Sequence, residues 1–190
     1  METSREIWIL RHGETAWTLS GQHTGRTDLP LTEAGQHAAI ALGQRLAGRH
    51  FDLVMTSPLA RAAETCRLAG YGQVARRCDD LMEWDYGQDE GITRLEIRKD
   101  RPGWTIWKDG VRGGETIEQV AARARRVLAS AEAASGDVAL FAHGHLLRIL
   151  VASWLELPPQ SGSLFELGTA TISVLARGDG GPVVRKWNVS

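Results

Sequence analysis

The sequence predicts an α/β fold, a three-layer α/β/α sandwich around a mostly parallel central sheet. Short apolar runs of strand length alternate along the chain with longer segments whose apolar residues recur at helical spacing. Strands and helices that alternate in this way form parallel sheets covered on both faces. The chain has 190 residues, is 43% hydrophobic and has no internal repeat, which favours one domain over residues 1–190.

The first half of the chain supplies three predicted strands and two helices. Residues 6–10 and 51–55 are apolar runs of strand length, and residues 74–78 form a shorter β segment. Thr32 is a suitable N-cap for the first helix. Ser57 precedes a proline, which is typical of a helix start, and this second helix should run to about residue 69. The expected buried face of the first helix carries Ala34, Ala38, Ala41, Leu42 and Leu46.

The second half supplies two more helices and three strands. Thr116 and Gln119 match a capping box. A strand over 137–142 leads into a helix over 144–157, which two prolines end. Residues 171–176 and 182–187 flank the turn GDGG and predict a hairpin or edge pair, while no element is predicted for 84–114. The helix behind the capping box should bury Ile117, Val120, Ala121, Ala124, Val127, Leu128 and Ala131.

Charge and cysteine content exclude several classes of protein. The chain has 22 Lys and Arg against 23 Asp and Glu, a net charge of -1, so neither nucleic-acid nor membrane binding is expected. Cys66 and Cys78 fit neither a disulfide scaffold nor a zinc site, which favours a reducing compartment. The N-terminus lacks the pattern of a signal peptide and no apolar run approaches 18 residues. We therefore expect a cytoplasmic protein; nothing in the sequence indicates its oligomeric state.

Basic side chains follow three of the predicted strands. Arg11 and His12 come after the first strand, Arg61 lies in the first turn after the second, and His143 and His145 follow the strand over 137–142. Ligands of parallel sheets bind at the carboxyl ends of the strands, so these groups should converge. Two arginines and two histidines, partly at helix N-termini, predict a site for a dianionic group such as phosphate.

Several routes of phosphate chemistry are excluded. The chain has no G-x-x-x-x-G-K-[ST] loop, and neither cysteine is followed six residues later by arginine. The HGH segment at 143–145 leaves a metal site open as an alternative, although no carboxylate cluster accompanies it. Histidine remains as nucleophile: a neutral imidazole can form a phosphohistidine while cations stabilise the equatorial oxygens and a carboxylic acid protonates the leaving alkoxide.

The segments LRHGET, TSPLARAAET, MEWDYGQDEG, GGET and FAHGH resemble, in order and spacing, the histidine phosphatase superfamily, also called phosphoglycerate mutase-like. The resemblance implies a metal-independent phosphatase with no cofactor and a phosphoglycerate mutase-like fold. It implies that His12 is the phosphorylated nucleophile and that Arg11, Arg61 and His143 form the phosphate pocket. It also selects Glu83 as the proton donor; spacing alone could not choose among the six acidic residues of 79–90.

A closer resemblance links RHGETAWTLSGQHTGRTDLPLTEAGQ and FAHGHLLR to the sugar-bisphosphatase branch typified by yeast sedoheptulose-1,7-bisphosphatase. It implies a small phosphorylated metabolite as partner, a sugar bisphosphate in particular. Thr24 and Gly25 would then line the phosphate pocket, while Tyr86 and Arg148 would reach the sugar or its far phosphate. For Arg148, a half-buried stem with a solvated head is an equal alternative.

Two other functions stay open. A phosphoglycerate mutase would move the phosphoryl group between substrate positions, but members of that type are longer, with a C-terminal tail over the site. A non-catalytic phosphate-binding module would not need Glu83. The basic segment 94–112 could gather a second phosphate or be a solvated lid, and Trp104 and Trp107 could stack on a sugar or form local core.

Overall fold

A six-stranded mixed sheet forms the centre of the fold, with strand order β3-β2-β4-β1-β5-β6. The structure is a computed structural model and describes residues 5–46 and 48–190, so the predicted absence of a signal peptide lies partly outside the described residues. The strands are β1 (Glu6–Arg11), β2 (Leu53–Thr56), β3 (Arg76–Arg77), β4 (Val138–Ala142), β5 (Ile172–Gly178) and β6 (Gly181–Val189).

Four strands are parallel and two are not. β4 pairs in parallel with β1 on one side and β2 on the other, and β3 continues beyond β2. β5 runs antiparallel to β1, and β6 antiparallel to β5. The predicted mostly parallel sheet and the terminal hairpin are therefore confirmed. Because β1, β2 and β4 run in the same direction, the segments that follow them meet at one edge of the sheet.

Helices cover both faces of the sheet. One core lies between the sheet and α6 and α7, and the other between the sheet and α2 and α3. Alternate residues of β1 belong to different cores: Ile7 and Ile9 to the first, Trp8 and Leu10 to the second. The helices are α1 (Ala16–Ser20), α2 (Glu33–Leu46), α3 (Ala60–Leu68), α4 (Arg94–Asp100), α5 (Ile106–Asp109), α6 (Ile117–Glu132) and α7 (Gly144–Trp154).

Helix α6 matches its prediction closely. Thr116 and Gln119 form the capping box, and all seven predicted apolar positions are buried. The same face also buries Arg123, which the periodicity did not reveal. None of the helices within the described residues is both long and apolar enough to cross a lipid bilayer.

The predicted buried face of α2 is confirmed at Leu42 and Leu46 and is wrong at Ala34, Ala38 and Ala41, which are not buried. Thr32 caps the helix as expected, its hydroxyl accepting the N–H of Gly35 at 3.0 Å, but the buried residues are Gly35, Ala39, Leu42 and Leu46. A Cβ on Gly35 would lie 2.3 Å from the carbonyl oxygen of Glu14. The helix rests there directly on the main chain, so a residue without a side chain, invisible to hydrophobic periodicity, orients it.

Several predicted boundaries are displaced. The second strand begins at Leu53 rather than at residue 51, and α3 begins at Ala60 because Ser57 and Pro58 lie in the loop before it. Helix α7 ends at Trp154, and a 3₁₀ segment over Pro159–Leu164 follows. Residues 84–114 contain α4 and α5, which were not predicted; each is capped by a threonine but is too short to give a periodic signal.

Candidate active site

A pocket of about 220 Å³ opens at the carboxyl ends of β1 and β4. Arg11 and His12 line it from the end of β1, and Gly144 and His145 line it from the start of α7. Glu83, from the loop before the 3₁₀ turn at Gly87–Asp89, also faces this pocket. The structure therefore brings the predicted nucleophile and the predicted acid into one cavity.

His12 is held in a single orientation. Its side chain is buried, and Nδ1 lies 2.7 Å from the carbonyl oxygen of Gly13. A carbonyl can only accept, so Nδ1 carries the proton and Nε2 keeps a free lone pair. Burial, with the charges of Arg11 and Arg61, holds the pKa of His12 well below its ordinary value, despite the opposing Gly13 hydrogen bond. The ring is thus neutral and nucleophilic at Nε2.

Arg11 and Arg61 are anchored by main-chain carbonyls. Arg11 donates to the carbonyl of Leu167, and Arg61 donates to those of Thr24, Gly25 and Thr27 at 2.9–3.0 Å. Burial lowers the pKa of both guanidinium groups. Each Nε atom is buried without a hydrogen-bond partner among the described residues. Buried donors of this kind carry a desolvation cost that an oxyanion would remove.

His143 lies next to His12, although neither it nor Arg61 is among the residues that line the pocket. Its ring centroid lies 5.1 Å from that of His12, and Nε2 contacts Ser57 Oγ at 2.8 Å. Nδ1 is buried without a partner in the part of the chain that is described. Burial, followed by the charge of Arg61, holds the pKa of His143 well below its ordinary value. Ser57 was predicted as a helix cap; instead it orients this histidine.

Glu83 is fixed by backbone donors. Oε1 accepts the N–H groups of Trp84 and Leu146, both at 2.9 Å, and Oε2 accepts that of His145 at 3.0 Å. Each carboxylate oxygen has two acceptor positions, so Oε1 is full and Oε2 keeps one. The side chain is only 4% exposed. A proton can therefore be held on Oε2 without breaking the bonds that fix the group.

The geometry agrees with comparisons to known proteins. The family model described as "Histidine phosphatase superfamily (branch 1)" matches residues 7–190. The chain belongs to this superfamily. An acid phosphatase of Mycobacterium tuberculosis is 39% identical over 175 residues, covering 90% of this chain and 86% of the relative. The sedoheptulose 1,7-bisphosphatase of Saccharomyces cerevisiae is 38% identical over 185 residues, covering 80% and 68%.

Two further histidine phosphatase relatives bear on fold and function. A 2,3-bisphosphoglycerate-dependent phosphoglycerate mutase of Mesorhizobium japonicum is 33% identical over 205 residues, covering 97% of this chain and 93% of the relative. A solved structure of an open reading frame product from Mycobacterium tuberculosis superimposes with a TM-score of 0.93, at 37% identity, over 98% of both chains. The predicted α/β sandwich of the phosphoglycerate mutase-like type is thereby confirmed.

Sequence reasoning missed the residue of this histidine phosphatase that supports the main chain at Glu83. Arg123, on α6, donates to the carbonyls of Asp80, Met82 and Glu83 at 2.5–3.0 Å. Its Nε and Nη2 also form a two-point ion pair with Glu115 at 2.8 Å. An arginine in the middle of the apolar stripe of α6 was the available signal. It fixes the main chain on which Glu83 is carried.

Three of the four predicted substrate contacts line the pocket, and the fourth holds residues beside it. Thr24, Tyr86 and Arg148 line the pocket. Gly25 contributes differently: its N–H donates to the Glu90 carboxylate at 2.9 Å and its carbonyl accepts from Arg61. Arg148 donates from Nε to the carbonyl of Gly162 at 2.9 Å and lies 4.5 Å over the ring of Trp107.

The basic residues of 94–112 are not part of the pocket lining, and three of them are paired elsewhere. Arg112 pairs with the buried Asp89 at 2.5 Å, Arg101 lies 3.7 Å from the same carboxylate, and Arg98 donates to a main-chain carbonyl. Trp104 is buried and donates its indole N–H to the carbonyl of Gly110. Within residues 5–46 and 48–190, no three His, Cys, Asp or Glu side chains are grouped to hold a metal ion.

Proposed function

We propose that this protein is a phosphatase that hydrolyses small phosphorylated metabolites through a phosphohistidine at His12. The observation that carries the proposal is the state of His12: a buried neutral imidazole, its Nδ1 proton held by Gly13, with Nε2 free beside Arg11. Family membership and the relatives named phosphatases support the same reaction class.

The reaction proceeds in two displacements. Nε2 of His12 attacks phosphorus, the bond from phosphorus to the ester oxygen breaks, and Glu83 gives its Oε2 proton to the departing alkoxide. Arg11, Arg61 and His143 stabilise the charge on the equatorial oxygens. Water then attacks the phosphohistidine and gives a proton to Glu83. Inorganic phosphate leaves, and neutral His12 is restored.

A sugar bisphosphate is the substrate that we propose more specifically. Two observations support it: the 38% identity to a sedoheptulose 1,7-bisphosphatase, and the location of Arg148 in the pocket. The second phosphate would meet Arg148, since Arg148 lines the pocket and Arg98, Arg101 and Arg112 do not. The cytoplasmic location inferred from cysteine content stays a prediction.

A phosphoglycerate mutase is the second candidate, and the Mesorhizobium relative favours it. Both reactions share the first displacement and differ in the acceptor of the phosphoryl group, which is water for a phosphatase and a substrate hydroxyl for a mutase. The amount of inorganic phosphate released for each ester consumed therefore separates the two.

The deciding experiment measures inorganic phosphate release from sedoheptulose 1,7-bisphosphate in EDTA, with His12→Ala as the matched blank. Rapid release that depends on His12 supports a metal-independent histidine phosphatase. Conversion of 3-phosphoglycerate to its 2-isomer with little phosphate release would favour the mutase. Loss of all activity in EDTA, with recovery on adding a divalent metal, would reject the metal-independent mechanism.

A further inference from the structure

The polar side chains on the leaving-group side of the pocket differ in whether other described residues already bind them. Thr18 is engaged in the capping box of α1, Gln22 bonds to a main-chain carbonyl and a serine hydroxyl, and Thr24 donates to a carbonyl at 3.3 Å. His23 and His145 also line this wall. The Nε2 atoms of both rings have no hydrogen-bond partner among the described residues and are not buried.

The partner of His23 determines which of its ring nitrogens carries the proton. Nδ1 lies 2.7 Å from the carbonyl oxygen of Ile92. Because a carbonyl only accepts, Nδ1 must be the protonated nitrogen of the neutral ring. Nε2 of His23 therefore presents a bare lone pair, which is a hydrogen-bond acceptor.

The partner of His145 fixes the opposite arrangement. Its Nδ1 lies 2.6 Å from the hydroxyl oxygen of Tyr86, which makes no other hydrogen bond with the described residues. Burial raises the pKa of Tyr86 well above its ordinary value and lowers that of His145 well below it, so both groups are neutral. A phenol O–H is a stronger donor than an imidazole N–H, and an imidazole nitrogen is a stronger acceptor than a phenol oxygen. Tyr86 therefore donates to Nδ1, and Nε2 of His145 carries the proton and is a donor.

The rings of His23 and His145 are stacked. Their planes are inclined by 18° and their centroids lie 6.3 Å apart. Two hydrogen bonds of about 2.8 Å that share one oxygen can join nitrogen atoms up to about 5.6 Å apart. Rings that lie this close together are within reach of one hydroxyl group, or of two on adjacent carbons.

We propose that His23 and His145 select phosphate esters whose leaving group is a polyol. A substrate hydroxyl donates to Nε2 of His23 and accepts from Nε2–H of His145. This rests on the proposed phosphatase function and refines its substrate class. A second phosphate would not satisfy the pair, because its oxygens are acceptors and would face the lone pair of His23.

The test compares two substrates that differ only in hydroxyl groups, glycerol 1-phosphate and n-propyl phosphate. The ratio of their kcat/KM values cancels the fraction of active enzyme. Assays at pH 8 keep imidazoles of ordinary pKa neutral. We expect the wild type to prefer the glycerol ester, and His145→Asn, which cannot reach the Nε2 position, to reduce that preference about three- to tenfold.

Matched variants separate hydrogen bonding from general damage. His145→Gln places an amide donor near the Nε2 position and should retain most of the preference. His23→Asn keeps a donor for Ile92 but removes the distal acceptor, and should lose it. Equal losses on both esters in His145→Asn, or an unchanged ratio, would overturn the proposal. If the enzyme hydrolyses aryl phosphates in a reaction that depends on His12 but does not prefer glycerol 1-phosphate to n-propyl phosphate, the proposed selection is overturned and the phosphatase function stands.

A measurement without turnover completes the test. ¹⁵N NMR of the imidazoles in His12→Ala should show the proton on Nδ1 of His23 and on Nε2 of His145, and glycerol 1-phosphate should shift both Nε2 signals more than propyl phosphate does. The reverse tautomer on either ring, or equal shifts with the two esters, would overturn the proposal whatever the activity.

Discussion

Replacing Arg123 by methionine tests whether this side chain stabilises the main chain that carries Glu83. The change keeps most of the apolar stem but removes five hydrogen bonds and leaves Glu115 and the carbonyls of Asp80, Met82 and Glu83 without their donor. Breaking a buried ion pair from one side costs about 3–5 kcal/mol. The Glu115 side chain is 18% exposed, so water can rehydrate it in part, and we expect a loss near 3 kcal/mol.

The assay is thermal and urea unfolding with a matched control. At about 2–4 °C for each kcal/mol in a chain of this size, the melting temperature should fall by about 6–12 °C. Arg126→Met is the control: it lies on the same helix and makes the same two-point contact, to Asp80, but its side chain is 61% exposed. That variant should unfold near the wild-type temperature. An Arg123 variant as stable as the Arg126 variant would refute the reasoning.

Three further predictions concern the acid, the histidines and a glycine. Glu83→Gln should suppress turnover of alkyl phosphates far more than that of p-nitrophenyl phosphate, whose leaving group needs no proton; equal losses would exclude the acid role. Since the pKa values of His12, His143 and His145 lie well below their ordinary value, the unfolded chain binds more protons below about pH 6.5. The free energy of unfolding should then fall on acidification, with a slope that approaches about 1.4 kcal/mol per pH unit for each histidine below about pH 6. Urea titration from pH 7.5 to 5.5 measures this slope, and a flat profile would contradict the prediction. Gly35→Ala improves helix propensity but should destabilise the protein by about 1–3 kcal/mol, because the added Cβ would lie 2.3 Å from a backbone oxygen. Ala34→Gly, on the exposed face of the same helix, is the control and should cost about 1 kcal/mol. A stabilised Gly35 variant would contradict the prediction.

Much of the arrangement could be predicted because strand direction links distant segments. Arg11, His12 and His143 follow strands that were visible as apolar runs, and parallel pairing then brings them together. The roles of these side chains stay predictions. Glu83 could not be chosen by spacing, since what distinguishes it from its acidic neighbours is its contact with the first N–H groups of α7.

What the sequence concealed depends on contacts rather than on pattern. Arg123 looked like one more charged residue of an amphipathic helix, yet it lies on the buried stripe, where its charge is matched by Glu115 and by carbonyls. Gly35 orients α2 by having no side chain at all. The second histidine of HGH was noticed as a possible metal ligand, and its pairing with Tyr86 became visible only in three dimensions.

The first turn of α7 positions two groups: His143 is its N-cap residue, without a side-chain capping bond, and the N–H groups of His145 and Leu146 bind the Glu83 carboxylate. The start of one helix therefore fixes the distance between Glu83 and His143, independently of the segments that line the rest of the pocket. Mutations in the segment 17–24, which lines the pocket, can change which ester enters while the distance between Glu83 and His143 is kept. This fold can therefore acquire new substrate specificities without any change to the residues that we propose to carry out the reaction.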